Sequence, residues 1–393
     1  MANVSSSNGL EKYPKLRFKG FSEPWKTVRI GDVYAERSER GAEDMELLSV
    51  TMNDGVKMRS DIEGKDNSSE DKSNYKIVRA GDMVYNSMRM WQGANGISPW
   101  DGIVSPAYTV LKPRMPISNG FFAALFKTHR LINEFRKNSQ GMTSDTWNLK
   151  YPQIETIKTC IPELAEQEKI ADFLMALDQR IEKQRTLVEH LKKYKRGVSN
   201  TFFNDKVVAE CSAVLPFGQA VEINPKTKSL PTEFIYIDLE SVESGKLLQE
   251  NIISRDNAPS RAQRVLTKGD VLFQMVRPYQ KNNFYFESEL SLPAVASTGY
   301  AQIRCVDNDP LFVFEQISSD YFANEAMLRS TGTGYPAINA DSLAEIPFIK
   351  HPIEEQRKIG KFLYLLSQRI IQEESKLEAL LKVKGAMLQS LFI

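Results

Sequence analysis

The sequence predicts a mixed α/β chain made from one pattern used twice: two mixed, mainly antiparallel domains separated by two long helices that form an antiparallel coiled coil. Three observations predict it. At 393 residues the chain exceeds one ordinary hydrophobic core and suits two domains of about 150 residues with connecting elements. A helical stretch recurs at a fixed offset in the second half. Between its copies lie short β-branched or aromatic runs broken by Gly, Pro and Asn, the pattern of strands and tight turns.

In chain order, residues 1–21 read as an N-terminal extension, polar and without the apolar core of a secretion signal, so a cytoplasmic location is expected. Residues 22–160 form the first domain, with strand candidates at Lys76 to Tyr85 and Val104 to Leu111 and a helix candidate at Asn119 to Lys137. Residues 161–205 form a central helix. Residues 206–350 form the second domain, with strands at Phe234 to Leu239 and Val271 to Val276 and a helix candidate at Leu311 to Leu328. Residues 351–393 form a C-terminal helix.

The repeat is strongest in the helices. EQEKIADFLMALDQRIEKQ from Glu166 returns as EQRKIGKFLYLLSQRIIQE from Glu355, and Gln167 with Gln356, Phe173 with Phe362, Arg180 with Arg369 and Phe203 with Phe392 share one offset of 189. The domains correspond more loosely. VRAGDMVYNSMRMWQ holds Gly81, Asp82, Arg89 and Gln92, and TKGDVLFQMVRPYQ holds Gly269, Asp270, Arg277 and Gln280 at an offset of 188; farther on, Asn148 echoes Asn339. Short loop insertions account for the drift.

From Glu166 to Phe203 no Pro interrupts. Apolar residues at Ile170, Leu174, Leu177, Ile181, Val188, Leu191, Val198 and Phe202 alternate steps of four and three, with polar breaks at Gln184 and Lys195. Adding 189 gives Ile359 to Leu391 with breaks at Glu373 and Lys384. Both are coiled-coil seams, each about 57 Å long at about 1.5 Å per residue. A parallel pairing would stack Lys195 on Lys384, whereas an antiparallel one sets Lys195 opposite Glu373 and Gln184 opposite Lys384, so the antiparallel register is expected.

Composition excludes several function classes. The chain is 41% hydrophobic and 26% charged with a net charge of +1, an ordinary globular balance with no overall bias toward nucleic acid, and no apolar run is long enough to span a membrane. Cys160, Cys211 and Cys305 match no ligand or disulfide spacing and read as reduced, buried thiols. His129, His190 and His351 are solitary, so no metal site and no Ser-His-Asp set is expected. There is no phosphate-binding G-x-x-x-x-G-K-[ST] loop, and Gly332-Thr333-Gly334 reads as a turn. No N-P-P-Y or D-P-P-Y tetrapeptide of the aminomethyltransferase kind occurs. The chain reads as a binder with no catalytic residues.

The opening PKLRF and GFSEPW, then WKTVRIGDV, the G-D-x-V/L strand motif followed by Arg, and the twice-used EQxKI-(x)2-FL helix resemble the specificity subunit of type I restriction-modification systems across nearly the whole chain. That resemblance implies that each domain is a target-recognition domain reading one half of an asymmetric, bipartite double-stranded DNA target. It also implies that the helices are spacers on which two modification subunits dock, with restriction/translocase subunits joining to cut DNA. This chain would bind no cofactor: S-adenosylmethionine belongs to the modification subunit, and ATP and Mg to the restriction subunit.

Base edges and phosphates are met by Arg, Lys, Gln, Asn and aromatic side chains. The candidate DNA-binding residues are therefore Asn86, Arg89, Trp91, Gln92 and Asn148 in the first domain, and Gln274, Arg277, Tyr279, Gln280, Lys281, Tyr335 and Asn339 in the second. Residues shared by two domains that read different sequences serve the fold or the phosphates before they choose a base. Variable neighbours such as Asn86, Ser87, Gln274 and Lys281 then become the readers. The alternative reading is a coiled-coil adaptor that binds other proteins, which the near-neutral charge allows; a fused enzyme that cuts or methylates unaided is opposed by the missing motifs.

Overall fold

The computed structural model describes residues 2–3, 13–41, 44–52, 55–64, 68–210, 213–227, 229–287 and 290–393, so Cys211 lies outside the described residues, while Cys160 and Cys305 are free thiols. The chain divides into two compact units, residues 1–184 with 376–393, and residues 185–375. Each unit holds one domain together with a stretch of each long helix.

The first unit is built on a four-stranded antiparallel sheet in the order Tyr34–Glu36, Tyr108–Pro113, Met83–Asn86, Asn95–Ile97. Beside it, Leu48–Thr51 pairs with Gly55–Met58 and Lys76–Val78 with Gly102–Val104, the two pairs meeting at a parallel bridge from Leu47 to Ile103. Lys26–Arg29 closes the domain against Lys158–Ile161. The second unit repeats the plan. Its first sheet runs Glu222–Ile223, Tyr300–Arg304, Val271–Gln274, Phe284–Tyr285, and its second runs Asn251–Ser254, Glu233–Ile237, Ala294–Ser297, Ala262–Val265, in which only the central pair is parallel. Val214–Pro216 pairs with Pro347–Ile349 at the position of the closing pair.

The repeated Gly-Asp has a backbone cause. Gly81 and Gly269 both adopt left-handed φ values, +91° and +92°, at the turn before a buried strand, where a side chain would be strained. The next residue braces the turn: Asp82 accepts from Arg79 N and Asp270 from Thr267 N, each at 2.8 Å. Each buried carboxylate is then neutralised, Asp82 by Arg37 at 2.7 Å and Asp270 by Arg304 at 2.8 Å. This turn also divides the expected run Lys76 to Tyr85 into two strands, and a second turn divides Val104 to Leu111.

The helix candidates divide as well. Asn119–Leu125 is followed by His129–Asn138, and Pro310–Ile317 by Asp320–Leu328. Thr128 and Ser319 start the second helix of each pair, their hydroxyls accepting from Leu131 N and Phe322 N, so a capped break replaces one continuous helix. Gln167 and Gln356 of the repeated helix motif explain their own recurrence. Gln167 accepts from Ser118 N at 3.1 Å and Gln356 from Asp309 N at 2.9 Å, each fixing the entrance of a short helix against a long one.

The long helices are Leu164–Phe202 and Ile353–Ser390. Among seam residues, Ile170, Leu174, Ile181, Val188, Leu363, Ile370 and Leu391 are buried. In the first unit Asp178 pairs with Lys384 at 2.5 Å, while Ala171 and Leu174 line one cavity with Leu388. In the second, Lys192 pairs with Glu374 at 2.6 Å while Lys195 and Ser199 line a cavity with Ile370. Within each unit the helical segments therefore run antiparallel.

The expected polar pairs are replaced. Lys195 ion-pairs with Glu315 at 2.8 Å, not with Glu373, whose carboxylate meets Arg369 at 2.7 Å; Lys384 reaches Asp178 instead of Gln184. The physical reason is a third partner. Glu315 lies on the short helix Pro310–Ile317 and is 1% exposed, so it demands a cation more strongly than a carboxylate on the helix pair alone.

Candidate nucleic-acid interface

In the second unit, strand Val271–Gln274 runs into the short turn Pro278–Gln280, flanked by Arg277 at φ +55° and Lys281 at φ +53°. Two non-glycine residues in left-handed conformation cost on the order of 1–3 kcal/mol each, so the surroundings must hold them. Gln274 does so from beneath. It is buried, donates to Gln280 Oε1 at 2.9 Å and accepts from Asn282 N at 3.1 Å. Arg277 N donates to Pro336 O at 2.7 Å, tying the turn to the loop between Thr331 and Ala337. Lys281 and Arg196 both pair with Asp320. Burial raises the Asp320 carboxyl, but the hydrogen bonds and charges of Lys281 and Arg196 outweigh it and hold the group below the usual carboxylate range.

Two side chains from separate segments meet on this surface. The Arg277 guanidinium lies 4.3 Å from the Tyr335 ring centroid, a cation–π contact, and Tyr279 and Tyr335 are 53% and 71% exposed. Arg277 has no carboxylate partner among the described residues, and its Nε has no hydrogen-bond acceptor.

The first unit carries the same frame with different side chains. Strand Met83–Asn86 leads through exposed Arg89 into the turn Met90–Gln92, ended by Gly93 at φ +87°. Asn86 Oδ1 accepts from Met88 N at 3.0 Å. The facing loop is pinned by the Gln140–Asn148 bridge and presents Met142, which is fully exposed. Trp91 packs edge-on to Trp147 with centroids 5.2 Å apart, and Arg136 lies 5.7 Å from the Trp91 ring. Among the described residues Arg89, like Arg277, has no ion-pair partner.

Of the residues singled out by sequence, Arg89, Trp91 and Gln92 gather at one turn and Arg277, Tyr279, Gln280 and Lys281 at the other, with Tyr335 brought against the second. Gln274 is enclosed and braces the turn, and Ser87 is buried against Thr109 at 2.8 Å. Asn339 caps the helix Ala340–Ala344 through Ser342 N at 2.8 Å, and Asn148 lies at the foot of its loop with Oδ1 unpaired. Sequence reasoning missed Trp147, Arg136, Asp320 and Arg196. The first was recoverable as an aromatic residue directly beside the candidate Asn148.

Among the described residues no cluster of three or more His, Cys, Asp or Glu side chains could hold a metal ion, and no helix is long and apolar enough to cross a membrane. The arrangement offers two exposed turns, each with an arginine that has no ion pair among the described residues, an aromatic residue in the same turn and a facing loop. Such turns suit an anionic partner with flat, hydrogen-bonding edges.

Residues 22–192 match the family model described as the type I restriction modification DNA specificity domain. The chain is similar to the type I restriction enzyme MjaVIII specificity subunit of Methanocaldococcus jannaschii, 23% identical over 97% of this chain and 95% of that protein. Its fold is similar to the crystal structure of a type I restriction-modification system S subunit from M. genitalium, with a TM-score of 0.63 and 16% identity, covering 97% of this chain and 99% of that one. A chain from a structural study of complex assembly and conformational transition of the type I R-M system is similar at a TM-score of 0.52 and 18% identity, covering 94% and 97%.

Proposed function

We propose that the chain is the DNA sequence-specificity subunit of a type I restriction-modification system, and that each unit reads one half of a bipartite double-stranded target through its turn and facing loop. The observation that carries this reading is the pair of unpaired arginines, Arg89 and Arg277, at equivalent positions of two otherwise different surfaces. An arginine free of internal carboxylates can grip a phosphate or the O6/N7 edge of guanine bidentately. Because the surrounding residues differ, the two half-targets differ. Catalysis belongs to partners: modification subunits carrying S-adenosylmethionine dock on the long helices, and restriction/translocase subunits use ATP and Mg.

The test is a target swap with a single-residue control, read by methylome sequencing of the reconstituted modification complex. Exchanging residues 22–160 for those of a relative is expected to change one half-target and leave the other intact. Arg277→Ala is expected to weaken binding by about 1–3 kcal/mol through the second half-target alone, and Arg277→Lys to leave most of that loss in place. Alteration of both halves by either change would refute independent readers. Methylation or cleavage by the chain alone would refute the division of labour.

A further inference from the structure

The two copies of the repeated helix motif are covered differently. In the first unit, Arg17 of the N-terminal segment donates from Nε and Nη2 to the two oxygens of Glu166 at 2.8 and 2.7 Å, with both side chains almost wholly enclosed. The next residue, Phe18, packs edge-on to Phe173 with centroids 5.6 Å apart. One arginine-phenylalanine step thus satisfies a carboxylate and a ring placed seven residues apart, on the same helix face.

In the second unit the same carboxylate and ring recur at Glu355 and Phe362, and neither is enclosed. Glu355 is 59% exposed and among the described residues meets only His351, at 3.3 Å, while Phe362 is 47% exposed. Leu365, one turn farther along the stripe, is 56% exposed. Two large apolar side chains in line with an open carboxylate form an acceptor surface whose complement the other unit displays.

We propose that the Glu355–Phe362–Leu365 stripe is a docking site for a partner subunit's segment in which an arginine is followed by an aromatic residue. The arginine forks onto Glu355 and the ring packs edge-on to Phe362, reproducing Arg17 and Phe18 on Glu166 and Phe173. The inference rests on the reading above that the helices carry partner subunits, and it names the chemistry of that contact.

The direct probe is a fluorescein-labelled peptide of residues 13–19 of this chain, titrated against the full chain by anisotropy. Saturable binding at one site is expected, weakened about tenfold or more by Glu355→Gln or Phe362→Ala in the protein and by an Arg-to-Lys change in the peptide. Both protein variants replace exposed side chains, and an unchanged melting temperature checks that they fold. No binding, or binding indifferent to all three changes, overturns the proposal.

A photo-crosslinking residue at position 362 in the reconstituted complex provides the second arm. A crosslink to a modification-subunit segment with the arginine-aromatic step supports the assignment; a crosslink elsewhere, or to a second copy of this chain with a dimeric mass by light scattering, overturns it. Should the peptide bind while no complex forms, the acceptor surface stands and the assembly reading fails.

Discussion

At the residue scale, the contacts that matter most are carboxylates whose partners lie far away in sequence. Arg17 and Glu166 are 5% and 1% exposed, so removing one member leaves a buried, uncompensated charge. Glu166→Ala is expected to cost about 3–5 kcal/mol in urea unfolding, while Arg17→Met combined with Glu166→Leu recovers most of it. Equal losses in the single and paired variants would show that the ion pair contributes through something other than charge compensation. Asp320 makes a gentler, pH-dependent case. Its folded carboxyl is held below the usual range, so its contribution is present at neutral pH and lost as pH falls through the folded value. Protection factors of the amides of residues 277–282, corrected for the pH dependence of intrinsic exchange, are expected to fall on acidification in the natural chain and to be low at every pH in Asp320→Asn. The sequence showed Arg277 and Tyr335 as candidates because they recur or flank a turn. It misread Gln274, because a polar residue at a strand end can face solvent or fold under the turn, and only the left-handed Arg277 and Lys281 decide which.

At the scale of elements, the helical seams were legible because a step of three and four leaves a trace in composition that needs no partner to be seen. The partners of the polar seam residues were not. Lys195 finds Glu315 on a neighbouring helix, and Glu315 also accepts from Ser367 at 3.0 Å. Lys195→Ala is therefore expected to cost about 3 kcal/mol by leaving a buried carboxylate without its cation, whereas Lys192→Ala, at a pair 56% and 37% exposed, costs about 0.2–1 kcal/mol. Thermal unfolding of the two variants distinguishes them, and similar losses would mean that Glu315 is neutralised by another route. The broken helices were illegible for a related reason: Thr128 and Ser319 sit inside apolar patterns that continue across the break, and their capping role emerges only when the chain bends.

At the scale of the whole molecule, each long helix passes from one unit into the other, near Gln184 and Ser375. Adding one heptad to both helices at those points preserves the seam and lengthens each helix by about 10 Å at about 1.5 Å per residue. With DNA rising about 3.4 Å per base pair, methylome sequencing is expected to find the gap in the target longer by about three base pairs and both half-targets unchanged. An unchanged gap would mean that the helices do not measure DNA. The duplicated plan was readable from the 188 and 189 offsets, but the way the units share helices was not, since nothing local announces that Phe392 packs edge-on to Trp25 at 6.4 Å. That sharing sets an order of birth. The second unit is complete once residue 375 has been made, but the first, although its domain is translated earlier, lacks residues 376–393 until those too have been made. Its aromatic core around Trp25 and Phe121 waits for Leu391 and Phe392, so a chain broken off before those two residues would leave that core open, a defect expected to show as faster proteolysis of the first unit.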